Sequence, residues 1–377
     1  MKTKIYFIES STSFNKNYLD SPSIAGSEKT LINITNELSK NDDLIINVFN
    51  KTDEPFKLGN LEWNNINEIN KYEFPDFLIA MSDAKLLSFT KSKKKFLWSH
   101  SVQPIEKFIR KKQLFSFFKN RPKMILEGEY HYNTRSFLTS FFGKKILPIA
   151  VDYDFTNIKL NLPDIKNKNA IFTTRSDRNL SFLIDCWTHI KKNSKESKLL
   201  INPPYNLTEQ DKKNHIKLRE KGSKQDLIKD LINSRLMLNP GHKGEVFCLA
   251  AEEARELCVP IVTMGYGALF ERVEHGITGF IAKNKEEFIK YSTDILNDDN
   301  LFLKLQKNLS LKRNSRTYKD VANDFLRLND YKYHILQSYY INHFFYRLLF
   351  QIQVHYVMDH YIIMIEWIIV YFLYALQ

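Results

Sequence analysis

The sequence has few cysteines, and none is spaced as metal-binding pairs are. Cys186, Cys248 and Cys258 are an odd number, and the 377 residues contain no CxxC spacing. Such a set argues against a disulfide framework and against a zinc site, and it fits the reducing cytosol. The first residues, MKTKIYFIESST, lack the long apolar core and small-residue cleavage site of a signal peptide, so they indicate a first strand.

Long apolar runs are scarce as well, and the strongest candidate lies in residues 331–377. This aromatic hydrophobic tail ends in an apolar run of about sixteen residues that contains Glu366. A spanning helix needs about twenty residues, and an acidic residue within it costs about 2–3 kcal/mol. Three interpretations stay open: an appendage at a membrane interface or protein contact, a true span, or an unselected sequence such as an out-of-frame 3′ end.

The rest of the chain has the organisation of an α/β protein. Its length and its 43% hydrophobic content suffice for two domains with separate cores. Short apolar runs alternate with amphipathic segments, which is typical of stacked βα units and a parallel sheet. The polar segment 151–169 interrupts this alternation and is a predicted hinge. The predicted strands are Ile5–Ile8, Ile45–Val48, Phe77–Ala80, Phe96–Trp98, Met124–Leu126 and Ile146–Ile149, then Ala170–Thr173, Leu199–Ile201, His215–Leu218, Leu236–Leu238, Pro260–Thr263 and Gly279–Ala282; the predicted helices include Ser27–Ser39, Asn179–Ile190, Lys224–Ser234 and Leu249–Leu257.

Positive charge is concentrated in one window. Of a net charge of +12, residues 91–126 contribute eleven Lys/Arg against the single acid Glu106. Basic residues interleaved with aromatics favour an anionic membrane surface, which we prefer over single-stranded nucleic acid because no nucleic-acid motif accompanies them. An amphipathic helix with a solvated basic back is the other interpretation. The predicted membrane-surface residues are Lys107, Arg110, Lys111, Lys112, Phe115 and Phe118.

The most ordered pattern lies in residues 236–282. A Pro-Gly loop with Glu245 precedes an Ala/Glu-rich helix that carries Glu253, and a short strand and a Gly-containing turn follow. The two carboxylates are eight positions apart, a span that would cover roughly 12 Å if fully helical, enough to hold both ends of an elongated polar ligand. Taken singly, each carboxylate is equally explained by the preference of acidic residues for helix starts.

This stretch resembles the donor-binding half of retaining glycosyltransferases of family 4, which have the GT-B fold. The resemblance rests on Asn-Pro at 239–240, Glu245-x7-Glu253-Ala, Val-Pro-Ile-Val at 259–262 and Glu271-x3-His-Gly-Ile-Thr-Gly-Phe. It covers roughly residues 1–328, strongly in 236–282 and weakly in the first domain. The family has glycines where this chain has Val246, Cys248 and Cys258, and glycine matters where the backbone approaches a ligand or has positive φ. The pattern therefore argues better for donor binding than for turnover.

The resemblance implies two Rossmann-like βαβ domains that face a cleft, with a C-terminal helix crossing back onto the first domain. A cleft between domains is a preferred place for ligands. The predicted parts are an acceptor domain at 1–152, a linker at 153–169, a nucleotide-sugar donor domain at 170–317, a cross-over helix at 318–330 and the tail at 331–377.

Roles for residues of the donor domain follow from the same resemblance. Arg175 and Arg178 match the phosphate-binding Arg and Lys of the family, on a loop before a helix. Glu245 would bind hydroxyls of the transferred sugar and Glu253 those of the ribose, because a carboxylate accepts two charge-assisted hydrogen bonds. The backbone N–H groups of Phe247, Cys248 and Leu249 would face the diphosphate.

The first domain adds two residues. Gly26, with Ser27 as the expected N-cap of the next helix, matches a glycine that lies near the donor phosphates. His100 matches a strand-end histidine that contacts the donor sugar near the reacting carbon.

The function implied is a metal-independent retaining glycosyltransferase of the hexosyltransferase type, with no cofactor beyond its nucleotide-sugar substrate. We expect a glycan or lipid-linked acceptor, a role in surface polysaccharide biosynthesis, and a cytoplasmic location at the inner face of the cell membrane. Two alternatives stay open. One is a non-catalytic GT-B relative that binds a sugar nucleotide or an anionic membrane, and the other is a sugar-nucleotide epimerase, for which the sequence offers no convincing acid/base set.

Overall fold

A computed structural model describes residues 2–19, 21, 25–220 and 222–329, so the predicted tail at 331–377 lies outside the described residues. The amino-terminal half forms one sheet of eight strands. These are β1 (Thr3–Ile8), β2 (Leu44–Asn50), β3 (Phe56–Leu58), β4 (Leu61–Asn65), β5 (Phe77–Met81), β6 (Lys94–Trp98), β7 (Lys123–Leu126) and β8 (Lys144–Ile146). Their order is β3-β4-β2-β1-β5-β6-β7-β8, and within it only the edge strand β3 runs antiparallel to its neighbour.

The second half forms a separate sheet in which all six strands are parallel. They are β9 (Asn169–Phe172), β10 (Lys198–Ile201), β11 (Ile216–Leu218), β12 (Leu236–Leu238), β13 (Ile261–Thr263) and β14 (Gly279–Ile281), in the order β11-β10-β9-β12-β13-β14. Two parallel sheets flanked by helices confirm the predicted α/β fold with two Rossmann-like domains.

Helices connect the strands of both sheets. In chain order they are α1 (Gly26–Leu38), α2 (Ile105–Arg110), α3 (Leu114–Asn120), α4 (Glu129–Asn133), α5 (Tyr153–Thr156), α6 (Leu180–Asn193), α7 (Glu209–Lys213), α8 (Lys224–Ile232), α9 (Leu249–Glu256), α10 (Leu269–Arg272), α11 (Lys285–Asn297), α12 (Asp299–Ser310) and α13 (Tyr318–Leu326). Short 3-10 turns lie at Lys16–Tyr18, Ile66–Lys71, Ala84–Ser88, Phe137–Ser140 and Arg327–Asn329.

Continuous apolar sequence explains the central strands, because a parallel strand is covered by helices on both faces. All five residues of β5 and all three of β12 are buried. Each sheet has its own core: Leu78 and Leu97 belong to that of the first domain, and Trp187 and Leu199 to that of the second. Within the described residues, no helix is both long enough and apolar enough to span a membrane.

Three details of the sequence prediction were wrong. The strand predicted at Ile146–Ile149 is β8 and ends at Ile146, two residues before Pro148, which has no N–H to donate to a sheet. Strands β3 and β4 were not predicted, although Leu61 and Trp63 alternate with polar residues. Ser27 is not the N-cap of α1, because Ala25 holds that position and the Ser27 hydroxyl donates to Glu28.

The predicted cross-over helix is present as α13. It packs on α1 of the first domain, where Tyr318 donates from its hydroxyl to Thr30 Oγ1 at 3.4 Å. The Phe325 ring lies against Phe7 and Trp98, with centroids 5.8 and 5.0 Å away. Aromatic pairs at such separations stabilise beyond the area they bury, so the return of the chain to the first domain is firmly held.

The predicted linker contains the short helix α5 and is tied to the second domain. The ammonium of Lys224, on α8, lies 2.9 Å from Asp152 Oδ2 and 2.8 Å from Asp154 Oδ2. Residues 2–327 form a single compact unit, so the exact positions at which one domain gives way to the next stay a prediction.

Candidate functional site

The two domains meet where α1 and α9 begin. A Cβ atom on Gly26 would lie only 2.8 Å from Leu249 Cδ1, so a side chain at position 26 would push the two helix starts apart. Both residues were predicted to lie near the donor phosphates, and the structure brings them close together.

Glu245 lies half-buried in the loop before α9, and the backbone holds it on both sides. Its N–H donates to the carbonyl of His242 at 3.0 Å, and its own carbonyl accepts from Ala268 N–H at 2.9 Å. Its carboxylate atom Oε2 is buried and has no hydrogen-bond partner. Burial raises the pKa of Glu245, while the charge of Arg178 acts in the opposite direction. A carboxylate on a fixed backbone, with one acceptor atom unpartnered, is suited to a hydroxyl-bearing ligand.

The two predicted arginines lie on the loop that leads into α6, and they differ in setting. Arg178 is mostly buried, and its Nη1 lies 2.6 Å from His242 Nδ1. Arg175 is largely exposed and forms a two-bond ion pair with Asp177, at 3.0 and 2.6 Å. Exposed pairs of this kind contribute little to stability, so Arg175 is free to exchange Asp177 for another anion at small cost.

Glu253 lies on α9, one turn beyond the helix start. Its side chain is half-buried and makes no hydrogen bond to any described residue. Burial raises its pKa to about 7, with Asp152 acting in the same direction and Lys29, Lys224 and Arg219 against it. This carboxylate therefore changes charge near neutral pH and is available to accept from a ligand.

The backbone explains why glycine would suit two of the three altered positions. Cys248, at the N-cap of α9, has φ 65°, and Cys258 has φ 55°, both in the left-handed region that glycine adopts most easily. Val246 does not have positive φ. A non-glycine residue in that region costs about 1–2 kcal/mol, so Cys248 and Cys258 keep a glycine-like backbone at some expense of stability.

This conformation predicts that Cys248→Gly destabilises the protein less than Cys186→Gly does. We expect Cys248→Gly to change the free energy of unfolding by less than about 1 kcal/mol, because relief of the left-handed strain offsets the lost thiol burial. Cys186 is equally buried but lies within α6, so Cys186→Gly should destabilise the protein by about 1–2 kcal/mol. Urea denaturation of both variants measures the difference, and equal losses would contradict the assigned backbone strain.

His100 follows the carboxyl end of β6, as predicted, and it has a partner that the sequence did not reveal. Its Nδ1 lies 2.6 Å from Oε1 of Glu127, which follows the neighbouring strand β7. The backbone N–H of Glu127 donates to His131 Nδ1 at 3.2 Å, and His131 Nε2 donates to the carbonyl of Ser101 at 3.0 Å. The other ring nitrogen of His100, Nε2, is buried and unpartnered.

A second contact between the domains involves Glu271, which belongs to the motif of residues 236–282. Its carboxylate accepts from the backbone N–H groups of Glu129 and Tyr130 at the start of α4, and the Tyr130 hydroxyl donates to Lys243 O at 2.6 Å. A Cβ on Gly128 would lie 2.7 Å from Glu271 Oε2. We call this set of contacts the Glu271 contact.

The Glu271 contact adjoins the donor-binding segment. Arg272, the next residue, donates to the carbonyl of Phe247 at 2.9 Å and lies over the Phe247 ring, 4.2 Å from its centroid. The loop that precedes α9 is therefore connected to the domain interface through neighbouring residues of α10.

The six predicted membrane-surface residues lie in α2, in α3 and in the turn between them, and four of the six are exposed. Arg110, Lys111 and Lys112 are exposed, as is Phe115, whose side chain is 78% accessible. These four residues are called the basic-aromatic surface below.

Lys107 and Phe118 do not belong to that surface. The Lys107 ammonium donates to Ser101 and Val102, and burial lowers its pKa to about 8. The Phe118 ring packs against Phe117 and Phe142, 5.6 and 5.8 Å away. An amphipathic pattern predicts that one face is buried, and these two residues lie on that face.

The structure thus places the predicted residues in three separate groups. Glu245, Arg178, Arg175 and the start of α9 surround one end of the donor domain, and His100 lies at the strand ends of the first domain. Among the described residues, no group of three or more His, Cys, Asp or Glu is arranged to ligate a metal. Glu127, His131 and His242 were not predicted; Glu127 could have been found as a polar residue directly after the buried strand β7.

Comparisons with known proteins bear on the fold and on the second half of the chain. Residues 170–316 match the family described as "Glycosyl transferases group 1". No curated protein sequence matches the chain significantly.

Solved GT-B structures match over most of the chain at low sequence identity. Sucrose-phosphate synthase from Thermosynechococcus elongatus superposes with a TM-score of 0.64 and 11% identity, covering 87% of this chain and 98% of that one. Anabaena HepE in complex with UDP and glucose gives 0.62 and 16%, covering 86% and 99%. A glycosyltransferase from Rickettsia africae gives 0.60 and 13%, covering 87% and 97%. The chain therefore has the GT-B fold, and residues 170–316 of its second half match the glycosyl transferases group 1 family.

Proposed function

We propose that this protein is a retaining glycosyltransferase that moves a hexose from a nucleotide-sugar donor to a glycan or lipid-linked acceptor. The observation that carries the proposal is the loop before α9. In that loop the backbone of Glu245 is fixed by hydrogen bonds, and its carboxylate oxygen Oε2 has no partner. The cationic side chain of Arg178 lies nearby, and the start of α1 faces the start of α9. Anions bind favourably at helix starts and beside arginine, so the site offers both hydroxyl-binding and phosphate-binding groups.

In the proposed reaction, the two ends of the donor occupy different parts of the cleft. Glu253 accepts from the ribose hydroxyls and Glu245 from hydroxyls of the hexose. Arg178 and Arg175 stabilise the negative charge that develops on the departing diphosphate, together with the backbone N–H groups of residues 247–249. Arg175 must leave Asp177 to do so.

The chemical step exchanges one bond for another on the same face of the sugar. The acceptor hydroxyl oxygen bonds to the anomeric carbon as the bond from that carbon to the phosphate oxygen breaks. The hydroxyl proton passes to the departing phosphate oxygen, so no protein base is required. We propose that the reaction needs no metal and no further cofactor, because cationic side chains and the start of α9 take up the phosphate charge.

A donor panel tests this proposal. Full-length protein is incubated with UDP-, GDP-, ADP- and dTDP-sugars and a membrane extract as acceptor source, and nucleotide release is measured with EDTA present. We expect acceptor-dependent release with one donor class, lost in Glu245→Ala and reduced in Arg175→Ala. Tight donor binding without turnover would instead identify a non-catalytic relative.

The epimerase alternative gains one observation. The His100–Glu127 pair is a polar couple of the kind used in proton transfer, and it lies in the first domain. Recovery of an epimerised donor without acceptor, by chromatography of the same reactions, would favour this alternative, and its absence alongside transfer would exclude it.

We further propose that the protein works in surface polysaccharide biosynthesis, at the inner face of the cell membrane. The basic-aromatic surface supports this, since exposed Lys and Arg are attracted to anionic lipid and an exposed Phe can insert between headgroups. A lipid-linked acceptor would then be presented at the same membrane surface.

Liposome pelleting tests the membrane proposal. Replacing Arg110, Lys111 and Lys112 together with serine should lower partitioning onto phosphatidylserine-containing vesicles about 100-fold, at about 1 kcal/mol for each basic residue. Serine at Lys212, Lys213 and Lys217, which are exposed on the second domain, makes the same charge change and should have little effect. Equal losses in both triple variants, or none in either, would count against the basic-aromatic surface.

A further inference from the structure

We propose that Glu127 is a positioning residue for His100. Its carboxylate fixes the orientation and tautomer of the imidazole, so that Nε2 accepts a hydrogen bond from a hydroxyl of the transferred sugar. The identity of that ligand rests on the function proposed above, whereas the effect of Glu127 on the ring is a property of the protein alone.

The tautomer follows from the contact. Glu127 is 2% exposed and its Oε1 lies 2.6 Å from His100 Nδ1, within the range of a strong hydrogen bond. An ionised carboxylate can only accept, so the proton lies on Nδ1. In the neutral ring, Nε2 then carries a lone pair and no hydrogen. A histidine with two equivalent surroundings would instead divide between its tautomers.

The carboxylate is itself held in place. The N–H of Glu127 donates to Nδ1 of His131, which is fully buried, and the opposite ring nitrogen of His131 donates to Ser101 O. Burial lowers the pKa of His131 to about 4, so this ring is neutral and can accept at Nδ1 at physiological pH. The His131 ring therefore fixes the turn that carries Glu127 by two hydrogen bonds.

The His100 ring is also confined from its other side. Its centroid lies 4.5 Å from that of Trp98, and its backbone N–H donates to Ser82 Oγ at 3.3 Å. With the ring side chain only 11% exposed, little freedom is left for it to turn. Oriented and confined in this way, the imidazole presents Nε2 in a single direction.

The unpartnered Nε2 is the observation that points to a ligand. Buried polar atoms nearly always have a hydrogen-bond partner, and this one has none among the described residues. The residue after Glu127 is Gly128, which lies against Glu271 of the second domain. The His100–Glu127 pair thus lies at the carboxyl ends of β6 and β7, close to the second domain. A hydroxyl of a bound sugar there would donate the hydrogen bond that Nε2 lacks.

Nitrogen-15 NMR of the full chain labelled at histidine tests the positioning directly, without any ligand. His100 is assigned by comparison with His100→Ala. Wild type should show the Nδ1–H tautomer. Glu127→Met fills the same volume but offers no acceptor, so the Nε2–H form should appear, whereas Glu127→Gln keeps an acceptor oxygen and should retain Nδ1–H. An Nε2–H ring in wild type, or an unchanged tautomer in Glu127→Met, would overturn the proposal.

Kinetics then separate positioning from a structural role. With the donor found in the panel, Glu127→Met should lower kcat/KM about 10- to 100-fold, the loss of one charge-assisted hydrogen bond, and Glu127→Gln should recover most of it. In the His100→Ala background, Glu127→Met should have no further effect. Additive losses would show that Glu127 acts on something other than His100. Failure to find any donor would refute the function but leave the NMR result standing.

Discussion

Replacing Glu245 with alanine should lower kcat/KM for sugar transfer about 100-fold or more, without loss of stability. The catalytic loss follows because a carboxylate that accepts from two hydroxyls contributes two charge-assisted hydrogen bonds of about 1.5–3 kcal/mol each. The stability should be equal or higher, because Oε2 is buried without a partner and burial raises the pKa of this group. Nucleotide release and urea denaturation at pH 8 measure the two effects.

A matched control exists in the same segment. Glu274 is about half exposed and pairs with Lys312 at 2.6 Å, so Glu274→Ala should change neither quantity appreciably. If Glu245→Ala were as active as Glu274→Ala, the assignment of Glu245 to the transferred sugar would fail. If it unfolded, the carboxylate would be structural.

Donor affinity should fall as the pH is lowered through about 7, because of Glu253. Its pKa is raised to about 7, and only the ionised carboxylate accepts from both ribose hydroxyls. Below this pH the affinity should drop by up to about tenfold for each unit, so roughly 30-fold between pH 8 and 5.5. Calorimetric titration with the parent nucleoside diphosphate across this range measures the effect.

The raised pKa of Glu253 makes folding stability depend on pH in the direction opposite to donor affinity. The folded-state pKa of Glu253 lies above its ordinary value of 4.5, so its contribution is fully present below about 4.5 and is lost as the pH rises through about 7. Glu253→Gln should therefore stabilise the protein at pH 8 by about 2 kcal/mol, while binding the nucleotide at least about tenfold more weakly and without the pH dependence. A variant with wild-type affinity and an unchanged pH profile would refute the ribose assignment.

Apolar runs were sufficient to predict the central strands, because a strand covered on both faces has few polar residues. The edge of the first sheet was harder. Strand β4 reads LEWNN, and its two apolar residues were too few to indicate a strand, while Pro148 marks where β8 has already ended. The local sequence does not determine whether a short strand with few apolar residues pairs with a neighbouring strand.

The site residues also fall into those that the sequence predicted and those that it missed. Glu245 and Glu253 were predicted because they lie within one continuous motif. The Glu127–His100 pair was missed because its members follow two strands that become neighbours only once the sheet order is known. Whether Lys107 is exposed depends on which face of α2 packs against the core. The spacing of hydrophobic residues alone did not determine that face.

The Glu271 contact has a consequence for any separation of the two domains. If the domains move apart to admit or release a ligand, the bonds from Glu271 to Glu129 and Tyr130 must break, along with the Tyr130–Lys243 bond. Each such bond contributes only about 0.5–3 kcal/mol, so together they slow opening without preventing it. Domain opening would then be the step that these three bonds govern, and their strength would set how long the closed arrangement lasts.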